Sequence, residues 1–183
     1  YVVESMNDKK SHYYQVDEYY NVAYNRSSET VKLLAFDRYQ ESFFDSGYIS
    51  KDRNSISMGV TNEPAEYVTS EDYGILAFVR LGQLWMYKYN DSSLTNIFSY
   101  PQDSYSDART LNTNLDINIA DMDEDGNIYF VVYGYMNRGV HEGKNGMSLY
   151  YYSAESMTTQ ELFFVECDEN YDIMKKETGR FTY

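Results

Sequence analysis

Apolar and polar positions alternate with a period of two along most of this chain, and the alternation is cut at intervals by short clusters of Asn, Asp, Ser and Gly. That pattern predicts β-strands joined by turns. HYYQVDEYYNVAYN (His12 to Asn25) reads as extended, Arg26 to Thr30 turns the chain, and Val31 to Phe36 returns it as a hairpin. SFFDSGYIS (Ser42 to Ser50) and SISMGVT (Ser55 to Thr61) supply two more strand candidates before Asn62, Glu63 and Pro64 break the pattern. Ile75 to Leu81, Leu84 to Tyr89 and Leu94 to Tyr100 follow, joined by Gly82-Gln83 and by Asn90 to Ser93, connections so short that the neighbours must be antiparallel. Pro101 to Asn114, rich in Ser, Asp and Thr, is expected to be an exposed loop. Four further strands are predicted over Asp116 to Ala120, Ile128 to Met136, Met147 to Tyr152 and Glu161 to Cys167. Asp168 to Gly179 reads as a short helix, with Asp168 or Asn170 to cap it and Gly179 to end it, and Phe181 to Tyr183 resume an extended pattern.

The strand pattern repeats. AYNRSSETVKLLAF (Ala23 to Phe36) returns as KYNDSSLTNIFSY (Lys88 to Tyr100) and again as YYSAESMTTQELFF (Tyr151 to Phe164), which places Tyr24, Tyr89 and Tyr152 65 and 63 residues apart. Repeats of this kind signal solenoids and propellers, in which each unit is one sheet with its own loops. The expected fold class is all-β: antiparallel meanders forming three propeller-blade-like units with a short C-terminal helix. The expected organisation is a single β domain over residues 1–183, with units near 1–50, 51–105 and 106–183. A ring of blades typically needs four to eight of them. Three therefore leave an open sheet edge, to be covered by the helix, by further sequence or by a second copy, so that a homodimer through that edge is one expectation.

Composition narrows the partners. The 22 tyrosines and nine phenylalanines against two prolines suit twisted, half-wet strands. With 29 acidic and 15 basic residues the net charge is −14, a field that repels phosphate backbones and excludes nucleic acid as a natural partner. Cys167, flanked by Glu166 and Asp168, has no intrachain disulfide partner and no electropositive setting to activate it. No apolar run approaches the roughly 20 residues that span a bilayer, so membrane insertion within this chain is not expected. The opening YVVESMNDKK, with neither an initiator Met nor a signal-peptide core, reads as a piece of a longer protein whose anchor lies outside it.

Two segments carry candidate chemistry. In DMDEDGN, Asp121, Asp123 and Asp125 stand at positions one, three and five of a calcium loop, with Gly126 at the sharp turn and Asn127 offering its carbonyl. The ninth and twelfth positions, Tyr129 and Val132, lack the expected ligands, so the alternative is a β-turn with solvated acids; calcium, if bound, would be weak. The loop GYMNRGVHEGKNG (Gly134 to Gly146) gathers Asn137, Arg138, His141 and Glu142 among glycines and is a candidate ligand-binding loop. Its lone His, with His12 the other imidazole of the chain, cannot build a multi-histidine zinc site. Trp85, Tyr87 and Tyr89 share one strand face; they are either core or, if the Leu84 and Met86 face is the inner one, an exposed aromatic ladder for sugars.

Catalytic signatures are thin: no nucleophile elbow, phosphate-cradling glycine loop or dinucleotide fingerprint is present. YFVVYGYMNRGVHEGKNGMSLYYY, with ELFFVECDENYDIMKKE after it and, more weakly, GILAFVRLGQLWMYKYN before it, resembles segments of large membrane-anchored extracytoplasmic proteins of Gram-positive bacteria, a group with no assigned activity. The resemblance implies a place outside the membrane and a β-propeller-like domain, and it carries over no catalytic residue. The expected function is thus a non-catalytic extracytoplasmic recognition or scaffolding module whose partner is a protein or glycan at the cell surface. The alternatives are a glycan-active hydrolase, which needs only two suitably spaced carboxylates, and a sensory domain regulating a membrane partner.

Overall fold

The computed structural model describes residues 1–7, 10–50, 55–62, 64–99 and 114–178. The fold is all-β: three antiparallel sheets and one short helix. The loop expected over Pro101 to Asn114, apart from Asn114 itself, lies outside the described residues, as do Gly179 and the extended pattern at Phe181 to Tyr183. Contacts divide the chain into two compact units, one of Tyr1–Asp45 with Met58–Pro64, the other of Ser46–Ser57 with Ala65–Tyr183. No helix among the described residues is long and apolar enough to cross a membrane.

The first unit holds β1 (Val2–Asn7), β2 (Lys10–Asn25) and β3 (Thr30–Ser42) in the order β1-β2-β3. β2 starts two residues before the expected His12, and β3 runs well beyond the expected Val31 to Phe36, to Ser42. β1 pairs only with the first third of β2, from Lys10 to Gln15, so the remainder of the hairpin continues as two strands. Beyond Ser42, the last residue of β3, the stretches to Ser50 and from Ser55 to Thr61 are not strands. A 3-10 turn occupies Ser46–Tyr48 and a single bridge joins Ile49 to Ile56, because Asp45, Ser46 and Gly47 favour a tight turn over a pleated ladder.

The second unit contains two four-stranded sheets. One has β4 (Tyr67–Thr69), β5 (Ile75–Arg80), β6 (Gln83–Lys88) and β7 (Ser93–Ser99) in sequence order, so the expected three-stranded meander gains the short β4 at its edge. β5 and β6 are joined through Leu81 and Gly82, both at positive φ, a two-residue turn whose twist matches that of the strands. The other sheet has β8 (Leu115–Met122), β9 (Ile128–Tyr135), β10 (Asn145–Ser153) and β11 (Thr158–Glu166). Helix α1 (Tyr171–Thr178) follows, capped by the Asn170 side chain on the Asp172 amide at 2.8 Å. Met174 of α1 packs with Val131 and Tyr133 of β9, and Met147, Leu149, Cys167 and Tyr171 surround them.

The hairpins β2-β3, β6-β7 and β10-β11 are copies of one another. Each closes with a four-residue turn, 26–29, 89–92 and 154–157, and in each the last residue lies in the left-handed region: Glu29 at φ 51°, Ser92 at 55° and Met157 at 53°. A side-chain hydrogen bond spans each turn exit, Ser28 to Thr30 at 2.7 Å, Ser93 to Asp91 at 2.6 Å and Ser156 to Thr158 at 2.7 Å. Each hairpin also carries a bulge at the same distance from its turn, with Leu34, Ile97 or Leu162 as the extra residue of the second strand. This equivalence matches Tyr24 with Tyr87 and Tyr152, so the sequence repeat is present with its middle copy displaced by two residues.

The core of the second unit lies between its two sheets, and the equivalence shows which faces meet. From the first sheet come Ile75, Ala77, Val79, Leu84 and Met86; from the second come Ile128, Phe130, Val132, Tyr150 and Tyr152. Counted back from their turns, Leu84 and Met86 correspond to Leu149 and Tyr151, whereas Tyr150 and Tyr152 correspond to Trp85 and Tyr87. The sheets therefore pack front to back, one face of the first on the opposite face of the second. Three side chains tie them at the rim: Glu66 accepts from the Ile119 amide, Glu124 accepts from the Glu71 amide at 3.0 and 3.1 Å, and Thr159 donates to the Ile97 carbonyl at 2.9 Å.

Candidate functional site

The turn between β8 and β9 is organised by Asp123. Its Oδ1 accepts the amides of Asp125 (3.0 Å) and Asn127 (2.8 Å), and its Oδ2 accepts the Asn127 side-chain amide at 2.8 Å. The backbone closes the same turn, with Asp123 donating to the Asn127 carbonyl and Gly126 donating to that of Asp123, both at 3.1 Å. Burial would raise the Asp123 carboxyl, but these hydrogen bonds together hold it below the usual aspartate value. A side chain at Gly126 would meet Met86 and Ile75, so the turn is seated on the core of the neighbouring sheet.

Asn127 also accepts the Ala154 amide at 2.9 Å, which joins the aspartate turn to the 154–157 turn, and the Lys88 ammonium donates to the Asp125 carbonyl at 3.3 Å. Between these elements lies an open depression of about 440 Å³, lined by Lys88, Asp125, Asn127, Tyr151, Ser153, Ala154 and Glu155. Tyr151 stands 4.8 Å from Tyr129, centroid to centroid, as a tilted aromatic pair. One ammonium, two exposed carboxylates, an amide and an aromatic face suit a polar ligand with hydroxyl groups. Sequence reasoning found Asp125 and Asn127 but missed Lys88 and Tyr151, which are far from them in the chain; the shared hairpin repeat was the signal that could have brought them together.

The three aspartates of the expected calcium loop are placed differently from one another. Asp121 is an exposed residue of β8, the Asp123 oxygens already accept three N–H donors, and the carbonyl of Asp125 faces a cation. Among the described residues no group of three His, Cys, Asp or Glu side chains is placed to hold a metal ion.

The loop from Gly134 to Gly146 folds back on itself through Met136 to Lys144 and Gly143 to Met136 backbone bonds of 2.8 and 2.9 Å. Asn137 and Arg138 are buried, Glu142 is exposed, and His141 lies half-buried against Phe164 with ring centroids 3.9 Å apart. His141 Nε2 stands 3.3 Å from both Glu161 carboxylate oxygens, and the fully buried Ser148 donates to Glu161 at 2.6 Å. A nucleophilic triad places the imidazole between hydroxyl and acid; here the carboxylate stands in the middle. Burial and the Glu161 charge push the neighbouring Tyr150 hydroxyl up to about 12. The second imidazole, His12, lies in the other unit with Asp45 3.5 Å away.

Trp85 and Tyr87 were candidates for an aromatic ladder if Met86 faced inward. Met86 does face inward, yet Tyr87 is only 5% exposed and Trp85 is half-buried, donating to Gln83 at 3.3 Å. Both faces of β6 are covered, and Tyr89 alone of the stripe is well exposed.

Glu66 is a half-buried carboxylate held off its ordinary titration by its surroundings. Burial raises it above the ordinary 4.5 and the Asp116 charge adds to that, against the Ile119 amide, Asn118 and Lys175. The native state then holds the proton more tightly than the unfolded chain, so stability falls as pH rises from 4.5 through the raised value. Glu66→Gln keeps an acceptor for the Ile119 amide and removes the charge. Urea unfolding across the mildly acidic range is expected to lose that downward slope, with stability at neutral pH equal to or above wild type; a variant that instead loses stability at pH 7 would show that the charge itself holds the seam.

No protein-family model and no curated protein matches the chain. Among solved structures it is similar to dipeptidyl peptidase 4 of Porphyromonas gingivalis, with 12% identity and a TM-score of 0.37 over 88% of this chain and 25% of that one. The chain spans about a quarter of that protein's length.

Proposed function

We propose that this chain is a non-catalytic recognition or scaffolding module of stacked, blade-like sheets, displayed outside the cytoplasmic membrane. The observation that carries the reading is the front-to-back packing of two sheets built on the same hairpin, because stacked-repeat architectures bury their sheet faces against neighbours and leave their turns to meet partners. The resemblance of Tyr129 to Tyr152 and of Glu161 to Glu177 to membrane-anchored extracytoplasmic proteins supports the location. The depression at the aspartate turn is the proposed seat for a glycan or a polar protein segment at the cell surface, with Tyr151 as the stacking face and Lys88, Asp125, Asn127 and Glu155 as hydrogen-bonding groups.

A hydrolase is the second reading, favoured by the raised Glu66 beside the Asp116 charge. Glu66 is engaged in holding the β4 to β8 seam, which weighs toward a structural role. Titration of the chain with soluble cell-wall oligosaccharides, followed by tyrosine fluorescence, tests both. Binding is expected, with a loss of about tenfold in Tyr151→Ala, the scale of one stacking contact. Release of new reducing ends by the wild type, abolished in Glu66→Gln, would overturn the non-catalytic reading.

A further inference from the structure

The second sheet of the second unit has its two faces covered by different elements. Successive side chains of β9 point to opposite faces, so Val132 lies in the core between the sheets and Val131 on the far face, both fully buried. By the hairpin equivalence that far face, which carries Leu149, is the counterpart of the face through which Leu84 and Met86 seat the first sheet on the second. One is covered by a four-stranded sheet and the other by α1, a helix of eight residues.

The helix is held there by few side chains. Tyr171, Met174 and Thr178 fall at the i, i+3 and i+7 positions of one stripe. The Tyr171 ring stacks on Tyr133 with centroids 5.6 Å apart, Met174 packs against Val131 and Tyr133, and Thr178 turns its hydroxyl back to the Lys175 carbonyl at 2.9 Å. Asp172, Ile173, Lys175, Lys176 and Glu177 are exposed. The Lys175 charge reaches Glu66, but attraction from an exposed ammonium adds little to docking. A helix this short does not persist alone in water, so helix and docking together rest on Tyr171 and Met174. β9 beneath it, by contrast, is a central strand paired by β8 on one side and β10 on the other.

We propose that α1 is a displaceable cover, which leaves the far face of the second sheet while both sheets stay folded and so opens and closes that sheet's stacking face. Openings of this kind are drawn from elements with little buried apolar contact, and α1 is such an element. Its departure uncovers Val131, Tyr133, Met147 and Leu149, a surface of the kind on which a sheet face packs.

Neighbouring residues on opposite faces of β9 provide the test. In the whole chain carrying Cys167→Ser, Val131→Cys reports the face under α1 and Val132→Cys the core between the sheets, each labelled by a small thiol reagent in native buffer. Should Val131→Cys fail to fold, Cys167 of the unaltered chain reports from the same apolar cluster. The thiol at 131 is expected to react at least about a hundredfold faster than that at 132, because it needs only the helix to leave. Met174→Ala should speed labelling at 131 by about thirtyfold or more, the lower end of what deleting a buried methionine side chain does to an equilibrium. Leu84→Ala, which weakens the seam between the sheets, should speed labelling at 132 by a similar factor and leave 131 within about twofold, since native and uncovered states keep that seam alike. Low urea replaces Leu84→Ala if that variant does not fold: it should raise the rate at 132 steeply and that at 131 only slightly, following the surface each opening exposes. Equal rates at 131 and 132, no effect of Met174→Ala at 131, or a response of 131 to Leu84→Ala or to urea as large as that of 132 would overturn the proposal.

Discussion

Gly134→Ala is expected to destabilise the second unit by about 3–5 kcal/mol, or to prevent its folding, through two effects that add. The φ of Gly134 is +117°, a conformation that a residue with a Cβ adopts only under strain, and an added Cβ would fall 2.0 Å from the Asn114 carbonyl oxygen. That oxygen cannot retreat cheaply, because it accepts the Tyr135 amide at 2.8 Å and so anchors the start of β8 on β9. Gly139→Ala separates the two effects. Its φ is also positive, +83°, but the space around it is open, so only the strain of about 1–2 kcal/mol should appear in urea unfolding. Equal losses at the two positions would show that the close approach of Asn114 contributes nothing.

Gly134 also shows where reading the sequence stops. The strands of the second unit other than β4 were legible, because alternation and turn residues are local signals, and the observed bounds differ from the expected ones by at most three residues. The hairpin repeat was legible too, although its middle copy was placed two residues out. In the first and third copies a residue just before the turn, Asn25 or Ser153, caps it, whereas Asp91 inside the second turn takes over that role, and the similar letters slide accordingly. β1 and β4 were missed because a short edge strand carries too few alternating positions to stand out. The stretch at Ser42 misled for the opposite reason: its Phe, Tyr and Ile residues have strand propensity, which Asp45, Ser46 and Gly47 override.

The candidate site divided along the same line. That Asp123 would sit in a turn follows from local chemistry. That its carboxylate would be filled by three N–H donors is local as well, since all three come from Asp125 and Asn127, whereas the approach of Lys88 to the Asp125 carbonyl depends on a neighbouring sheet 37 residues away in sequence. Asn137 and Arg138 look like surface residues by type and are buried by tertiary context. Trp85 and Tyr87 failed as a ladder because front-to-back packing covers both faces of a strand, whereas the sequence argument allowed for one buried face only.

The second large effect is expected at Phe130. Its ring is fully buried between the sheets, 5.3 Å from Tyr150 in a nearly parallel stack and 5.4 Å from Phe98, which reaches it from the other sheet. Phe130→Ala should lower stability by about 3–5 kcal/mol, the usual range for deleting a buried aromatic ring that its neighbours cannot replace. Phe98→Ala should be milder, since that ring is only partly buried, and the double variant should fall short of the sum by about 0.5–1.5 kcal/mol, the scale of a direct aromatic pair. This coupling is the measurement that matters, because it reports contact between sheets and not burial within one. Leu33→Ala on the exposed β2-β3 hairpin provides the contrast: a monomeric sample should lose no more than about 0.5 kcal/mol there. Strict additivity at Phe98 and Phe130 would mean that the two sheets do not support one another, and the stacked-blade reading would lose its physical basis.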